Sequence, residues 1–499
     1  MILLIFFTIF IVYLFMSTRR RPNELPGPFK WPIVGNLPQI AQVNWSRVWL
    51  AIDHYSKIYG GIYGMYFGPR YVVVLSDPKV VHELMKRDEW NGRPHDHMAK
   101  LKADGAILGI IMTDGELWKE TRRFTFRHMR NFGYGKNTME SSVMDEVQNV
   151  VDHVGKKIGI GEHILSFDDT FGPAVLSTLW NMVASIRTEL DDPAVLKLQR
   201  TVRETMQKRA FGAGIFWSFP SLRHLFPKQS SFGQQIDGFN FLKENMRKVI
   251  AEHKKTRVPG EPRDFIDAYL DEQENNPENP NFFDEQLVVT CMDLFVASDS
   301  ATITLWWAML YLILHPEVQT KVQAEIESVV GLDRPVTMAD KENLNYFEAF
   351  LLEVNRYSSM APIVTPHALT ETVTYKGYEI PKGSLVFINT WGIHRNKDHW
   401  GDPDTFRPER FLDQNGKVIT NDEWFLPFSS GKRRCPGEPL AKMSIFLMVS
   451  NLLQKFTFST IPGEPRPSSV PVIGLNLAPI PYKAQSRLRK STPRRRGAG

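Results

Sequence analysis

Residues 286–314 form a run of 29 positions without a proline or a glycine. As one helix this run would be roughly 43 Å long. From residue 287 it carries only two charges, Asp293 and Asp299, so nearly its whole surface must be buried. A bilayer can bury such a helix, and so can a core large enough to surround it. The middle of the run is polar, with Ser298, Asp299, Ser300, Thr302 and Thr304. An acid at mid-membrane is costly and would itself need a function. A core helix passing over a buried site explains the cluster with fewer assumptions. Asp284 and Glu285 suit its N-terminus, and His315-Pro316-Glu317 marks its stop.

The chain can supply that core. Of its 499 residues 42% are hydrophobic, which excludes wholesale disorder. Two cysteines exclude a disulfide scaffold and a cysteine-rich zinc array. The net charge of +5 is a property of the ends. Arg19, Arg20 and Arg21 at one end, and Arg487, Arg489, Lys490, Arg494, Arg495 and Arg496 at the other, supply nine positive charges, leaving −4 for the rest. A mildly acidic body argues against a basic nucleic-acid-binding domain.

Residues 2–16 are nearly all apolar and the three arginines follow them. A cleaved signal peptide would carry its charge first. The order here predicts a single-pass anchor over residues 1–18, with the arginines and the body on the cytosolic side. Residues 19–38, basic and proline-rich, read as a stiff linker. Residues 39–486 then form the main domain, and 487–499 a basic, disordered tail. Within the domain, residues 63–67 and 71–75 read as a hairpin around Gly68-Pro69-Arg70. A helix over 78–86 is capped by Ser76-Asp77, and 115–330 is mostly helical. Residues 271–281 read as a solvated loop, 372–388 as strands, and 403–437 as ordered coil. The fold class is mainly α with a smaller β portion.

Cys291 lies in an apolar helical stretch and reads as a buried small hydrophobe. Cys435 lies in Phe428-Ser429-Ser430-Gly431-Lys432-Arg433-Arg434-Cys435-Pro436-Gly437. Glycines on both sides permit a tight turn. Such a loop can aim N–H groups at the sulfur, and three adjacent cations favour thiolate. With no second cysteine nearby, a local zinc or iron–sulfur site is excluded, whereas a haem needs one protein ligand. For an isolated cysteine, a structural role in a turn is the commoner one.

The surroundings reverse that preference. The pattern Phe-x-x-Gly-x-Arg-x-Cys-x-Gly resembles the haem-binding signature of the cytochrome P450 family, with every fixed position present. The resemblance runs from the anchor to about residue 482 and is strongest to the animal microsomal branch. Arg263-Asp264-Phe265-Ile266-Asp267 and Arg130-Asn131-Phe132-Gly133 are typical of that branch. It implies a cytochrome P450-like fold with the long central helix over the haem. It also implies haem b as cofactor and Cys435 as the thiolate that pushes electron density onto the iron. Phe428, Gly431 and Gly437 would shape the ligand loop.

Other matching motifs assign further residues. Glu353-Val354-Asn355-Arg356 is by itself an ordinary i,i+3 pair. In the family it joins an arginine of a Pro-Glu-Arg-Phe segment, here Arg410 of Pro408-Glu409-Arg410-Phe411, in a structural triad. Trp118 and Arg122 match the Trp-x-x-x-Arg pair that binds a haem propionate; Arg433, His367 and Arg93 match further propionate partners. On the central helix, Ala297, Asp299 and Ser300 replace the family's usual glycine, acid and threonine. The acid and hydroxyl can pass protons inward through water, although serine turns more freely about χ1 than threonine.

The implied activity is a monooxygenase inserting one oxygen atom into a lipophilic small molecule. Its electrons would come from NADPH through a membrane-bound reductase, with cytochrome b5 as a second donor. The alternative is a haem-thiolate isomerase or dehydratase acting on a hydroperoxide; members of that kind tend to lose the acid–alcohol pair. By position, Ile111, Met112, Ala297, Ile363, Val364 and Leu475 line the pocket, and their apolarity predicts a lipophilic substrate. Residues 211–226 read as an access lid dipping into the bilayer. Lys432, Arg433, Arg434, Arg123 and Arg127 are candidates for docking an acidic reductase surface. The resemblance places the protein at the endoplasmic reticulum membrane.

Overall fold

The computed structural model describes the chain apart from residues 2–4, 6, 7, 10, 11, 13, 17, 168, 208–214 and 490–499. The mainly α expectation holds, and the central helix Asp284–Leu314 dominates the fold. Its 31 residues begin two positions earlier than the proline-free run suggested, with both acids in its first turn. Its most apolar stretch is 78% buried inside the fold, so it is a core helix and not a second span. Helices Phe171–Ala184, Phe232–Thr256, Asn345–Ser358 and Glu438–Lys455 pack against it. Even its two indoles are satisfied: Trp306 Nε1 donates to Phe167 O and Trp307 Nε1 to Leu477 O, each at 2.8 Å.

The β portion lies to one side. Strands Ile62–Phe67 and Arg70–Leu75 form the expected hairpin, with Phe67 opposite Arg70. Leu385–Ile388 pairs in parallel with the second strand, and His367–Ala368 pairs with Leu385–Ile388. This non-local pairing brings His367 beside Gly92, whose carbonyl accepts from Ala368 N–H at 2.9 Å. Val373–Tyr375 and Tyr378–Ile380 make the second hairpin expected around Lys376-Gly377. The helix after Ser76-Asp77 runs Pro78–Leu84, and the Asp77 carboxylate caps it through Lys79 N–H. Residues 403–437 are coil with two short 3₁₀ turns, Pro408–Phe411 and Gly431–Arg433.

Three expectations change. The segment 271–281 is helical to Asn275, because Asp264 caps helix Phe265–Asn275 and its buried face continues through Leu270. The linker 19–38 is docked. Arg20 donates to Glu24, Leu25 O, Pro28 O and Gly64 O, while Leu25 and Asn36 are fully buried. Hydrogen bonding to the first strand, rather than proline stiffness alone, holds it. The last strand, Lys483–Leu488, enters the expected tail: Arg487 and Leu488 pair with Thr457 and Phe456, and Arg489 N–H reaches Lys455 O. The rest of that tail, and part of the expected anchor and lid, lie outside the described residues. The described anchor residues that are helical include Ile5, Ile9, Val12, Phe15 and Met16, all exposed.

Candidate active site

Cys435 sits between the 3₁₀ turn Gly431–Arg433 and the N-terminus of helix Glu438–Lys455. Its N–H donates to Phe428 O at 2.9 Å, closing the loop on itself. Gly431 has φ +72°, and a Cβ there would collide with Met85 O, so both conformation and close approach require glycine. A Cβ at Gly437 would lie 3.7 Å from Cys435 Sγ. The sulfur is accessible, yet loss of hydration pushes its thiol up from the ordinary value. The N–H groups of Gly437 and Glu438 and the charge of Arg122 oppose that shift.

The three cations before Cys435 have partners of their own, although Arg434 still feels the charge of the sulfur. Lys432 pairs with Asp88 at 2.5 Å and Arg434 with Glu438 at 2.7 Å. Arg433 turns inward, donating to Asn91 O at 3.0 Å and Thr113 O at 2.8 Å. Support for a thiolate therefore comes mainly from backbone N–H groups at a helix start and from Arg122 on a different helix, with Arg434 beside it adding to them.

Inside, the predicted propionate partners come together. Trp118 and Arg122 lie on helix Gly115–Asn131, and Arg433 stacks on the Trp118 ring at 3.6 Å. Arg122 lies 5.6 Å from the same ring and donates to Arg434 O. Burial pulls Arg433 down to about 8, helped by the nearby charges of Arg93 and Arg122. Burial, then Arg93 and Arg433, hold His367 well below its usual value. His367 Nδ1 faces Trp90 O, while His367 Nε2 and Arg433 Nη1 are buried without a hydrogen-bond partner among the described residues. Arg93 donates to Ile111 O, Thr365 O and Pro366 O, which makes it a brace between two segments of the expected pocket wall.

Behind the loop, Glu353 and Arg356 are fully buried on helix Asn345–Ser358. Arg356 donates to both Glu353 oxygens at 2.7 and 2.8 Å. Arg410 Nε adds a third bond at 3.1 Å and Arg407 N–H a fourth at 2.8 Å. The remaining guanidinium donors of Arg356 reach His394 O and Pro403 O. The expected triad thus pins the coil that leads to Cys435.

On the central helix, Ala297 is exposed, and Asp299 and Ser300 are partly open. Burial pushes Asp299 up to about 6, with Arg203 opposing. Nearly two turns before Asp299 lies a group whose role the sequence did not disclose. Asp293 pairs with Lys102 at 2.6 Å, both buried, and accepts from Ile110 N–H and Ile111 N–H. Gln286 adds a bond from Gly109 N–H. These bonds fasten the loop bearing Ile111 and Met112 to the central helix. Arg93 ties the same loop to the segment after Val364, and Leu477 N–H to Met360 O ties in the segment of Leu475. Met112 is buried, Val364 and Leu475 are half-buried, and Ile363 packs in the core beside Phe387 and Trp217. The one available signal for Asp293 was an acid in an otherwise apolar helix.

A family model, "Cytochrome P450", matches residues 25–485. The chain is 33% identical to farnesoate epoxidase of Bombyx mori, over 97% of this chain and 98% of that protein. It is 34% identical to cytochrome P450 2D3 of Rattus norvegicus, over 96% of each, and 33% identical to cytochrome P450 2J2 of Homo sapiens, over 94% and 92%. The chain belongs to the cytochrome P450 family. It is accordingly a haem-thiolate monooxygenase by class. The residues fit the cytochrome P450 cofactor. Three buried or half-buried arginines and a histidine, with Arg433 Nη1 and His367 Nε2 unpartnered, suit a group bearing two carboxylates. The accessible Cys435 sulfur among backbone donors suits one axial metal bond.

Proposed function

We propose that Cys435 would supply the thiolate ligand of haem b and that Trp118, Arg122, Arg433 and His367 would hold its propionates, with Arg93 bracing the site. When bound, the haem would supply the activation of molecular oxygen by two electrons and two protons, with one oxygen atom going to a lipophilic substrate such as a steroid, fatty acid, terpenoid or xenobiotic and the other leaving as water. The observation that carries this reading is the convergence of the Cys435 loop with Arg122, Arg433 and His367 on one interior region, where Arg433 Nη1 and His367 Nε2 find no hydrogen-bond partner among the described residues. Asp299, with its affinity for protons raised toward neutrality, takes and releases a proton near physiological pH, and Ser300 beside it hands the proton inward through water. Retention of this pair favours oxygen insertion over isomerisation of a hydroperoxide. Ile111, Met112, Ala297, Val364 and Leu475 exclude water and orient the substrate; Ile363 supports them from the core.

The decisive experiment is a ferrous–CO difference spectrum. A thiolate-ligated haem gives a strongly red-shifted Soret band, and Cys435→Ala abolishes it. Absence of the band in the wild type, or its survival in the variant, would sink the assignment. Turnover that requires NADPH and a reductase, and not a hydroperoxide substrate, separates the two enzyme classes.

Electrons come from a membrane-bound NADPH–cytochrome reductase, with cytochrome b5 as a second partner. Because Lys432 and Arg434 already have carboxylate partners, exposed Arg123 and Arg127 are the docking charges. Reversing both to Glu slows reduction, most at low ionic strength, and leaves substrate affinity unchanged; an unchanged reduction rate rejects them. The exposed apolar helical residues of the first 16 positions anchor the protein in the endoplasmic reticulum membrane. Retention of the protein in the soluble fraction after expression of the full chain would contradict that anchor.

A further inference from the structure

The motif Arg130-Asn131-Phe132-Gly133 is followed by Tyr134, which the roles above do not use. Tyr134 lies in the turn between helices Gly115–Asn131 and Asn137–Gly159, with left-handed Gly133 and Gly135 on either side (φ +105° and +71°). Its own N–H is tied to Met129 O at 2.9 Å, and its ring packs 5.9 Å from Phe126. The residue is 6% exposed. Its hydroxyl donates to Pro436 O and accepts from Leu440 N–H. Leu440 is the third residue of helix Glu438–Lys455, where backbone donors lack an intrahelical partner.

The carbonyl it reaches is chemically special. Pro436 C=O and Gly437 N–H belong to one peptide unit; Gly437 packs close to Cys435 Sγ, since a Cβ there would lie 3.7 Å from it, and its N–H, with that of Glu438, holds the thiol down. The atoms form a continuous chain: Tyr134 O–H to Pro436 O, through the amide, and Gly437 N–H to the sulfur. A donor on an amide oxygen draws electron density from the nitrogen and makes its N–H a stronger donor, so bonds in series reinforce one another. Hydrogen bonds to a metal-bound sulfur reduce its donation and raise the reduction potential of the metal.

We infer that Tyr134 is a positioning residue that tunes the reduction potential of the haem through the Pro436–Gly437 amide. The inference rests on Cys435 being the axial ligand. It requires no contact between Tyr134 and haem or substrate. Phenylalanine would fill the same space and leave the relay without its first donor.

The test uses the full-length holoenzyme with phenylalanine or 3-fluorotyrosine at position 134. Fluorination makes the phenol more acidic and a stronger donor while keeping its shape. Spectroelectrochemistry reads the ferric/ferrous midpoint, and resonance Raman reads the Fe–S stretch. Tyr134→Phe shifts the midpoint to more negative values and the Fe–S stretch to higher frequency; 3-fluorotyrosine shifts both the other way. If Tyr134→Phe fails to fold, the fluorotyrosine protein carries the test alone. Wild-type midpoint and stretch in the fluorotyrosine protein, or shifts of the same sign for both replacements, overturn the inference. The ferrous–CO spectrum of each protein separates the two readings. A missing red-shifted band in the wild type refutes Cys435 ligation, whereas a normal band with unmoved midpoints refutes only the role of Tyr134.

Discussion

Two buried arginine clusters in this protein solve opposite problems. Around Glu353, two side-chain guanidinium groups and a backbone N–H converge on one carboxylate, and the leftover Arg356 donors end on carbonyls. Around Trp118, Arg93, Arg122 and Arg433 crowd together with His367, and their charges depress one another. The chain balances the first cluster with its own acid. It leaves the second short of negative charge, apart from Asp114, which opposes the shifts of Arg93 and Arg433. A charge network closed within the chain is a fastening, whereas one left open is a binding site for whatever brings the missing charge.

The largest effect should come from breaking the closed cluster. Glu353→Gln leaves Arg356 and Arg410 buried without a counter-charge and costs about 3–5 kcal/mol. Denaturant unfolding should show that loss, and little holoprotein should accumulate. Near-normal stability would mean the triad is not a fastening. The open cluster should respond differently. Arg433→Gln removes a charged partner worth about 1.5–3 kcal/mol to a bound carboxylate. Haem transfer to an acceptor protein should therefore speed up on the order of tenfold to a hundredfold, while the unfolding free energy of the apoprotein falls far less than in Glu353→Gln. Equal losses in apoprotein stability would erase the distinction.

Asp299 extends the comparison to acids, since it lacks the dense set of donors that holds Glu353. Its folded pKa of about 6 lies above the ordinary aspartate value of 3.8. The folded state therefore holds a proton that the unfolded chain releases, and stability falls as pH rises between those two values. Above about pH 6 the penalty is fully present. Asp299→Asn should thus unfold at a higher temperature than the wild type at pH 7.5, with the gap closing toward pH 4, while product formed per NADPH falls. A gap that widens at low pH would contradict the assignment of Asp299 as a destabilised, proton-carrying acid. The smallest effect belongs to Ser300→Thr, which restricts χ1 and should raise the product yield per NADPH modestly, with no change in unfolding.

Much of this was legible in the residues. The 286–314 run announced a core helix because its polar middle suits a protein interior better than lipid. The Cys435 loop pointed to its chemistry through the family signature it resembles, and Glu353 and Arg356 to their pairing through i,i+3 geometry. Other features escaped for a common reason. Lys102 and Asp293 are 191 positions apart, Arg433 and Thr113 320 apart, and Tyr134 and Pro436 302 apart. Nothing local reports such partners. Two of the cations beside Cys435 were misread for the same reason: sequence proximity suggested a field, but Lys432 and Arg433 have partners that only the fold supplies, whereas Arg434 pairs with Glu438 four residues on.

The sequence by itself determined the class of fold, through periodicity and composition that act within a turn or two of chain, and the family that its short motifs resemble pointed to the cofactor and to Cys435. Only the tertiary structure decided which charges are closed and which are open, where the linker docks, and how a tyrosine hydroxyl reaches the amide beside the thiolate. Those depend on burial, and burial is set by everything packed around a group rather than by its neighbours along the chain.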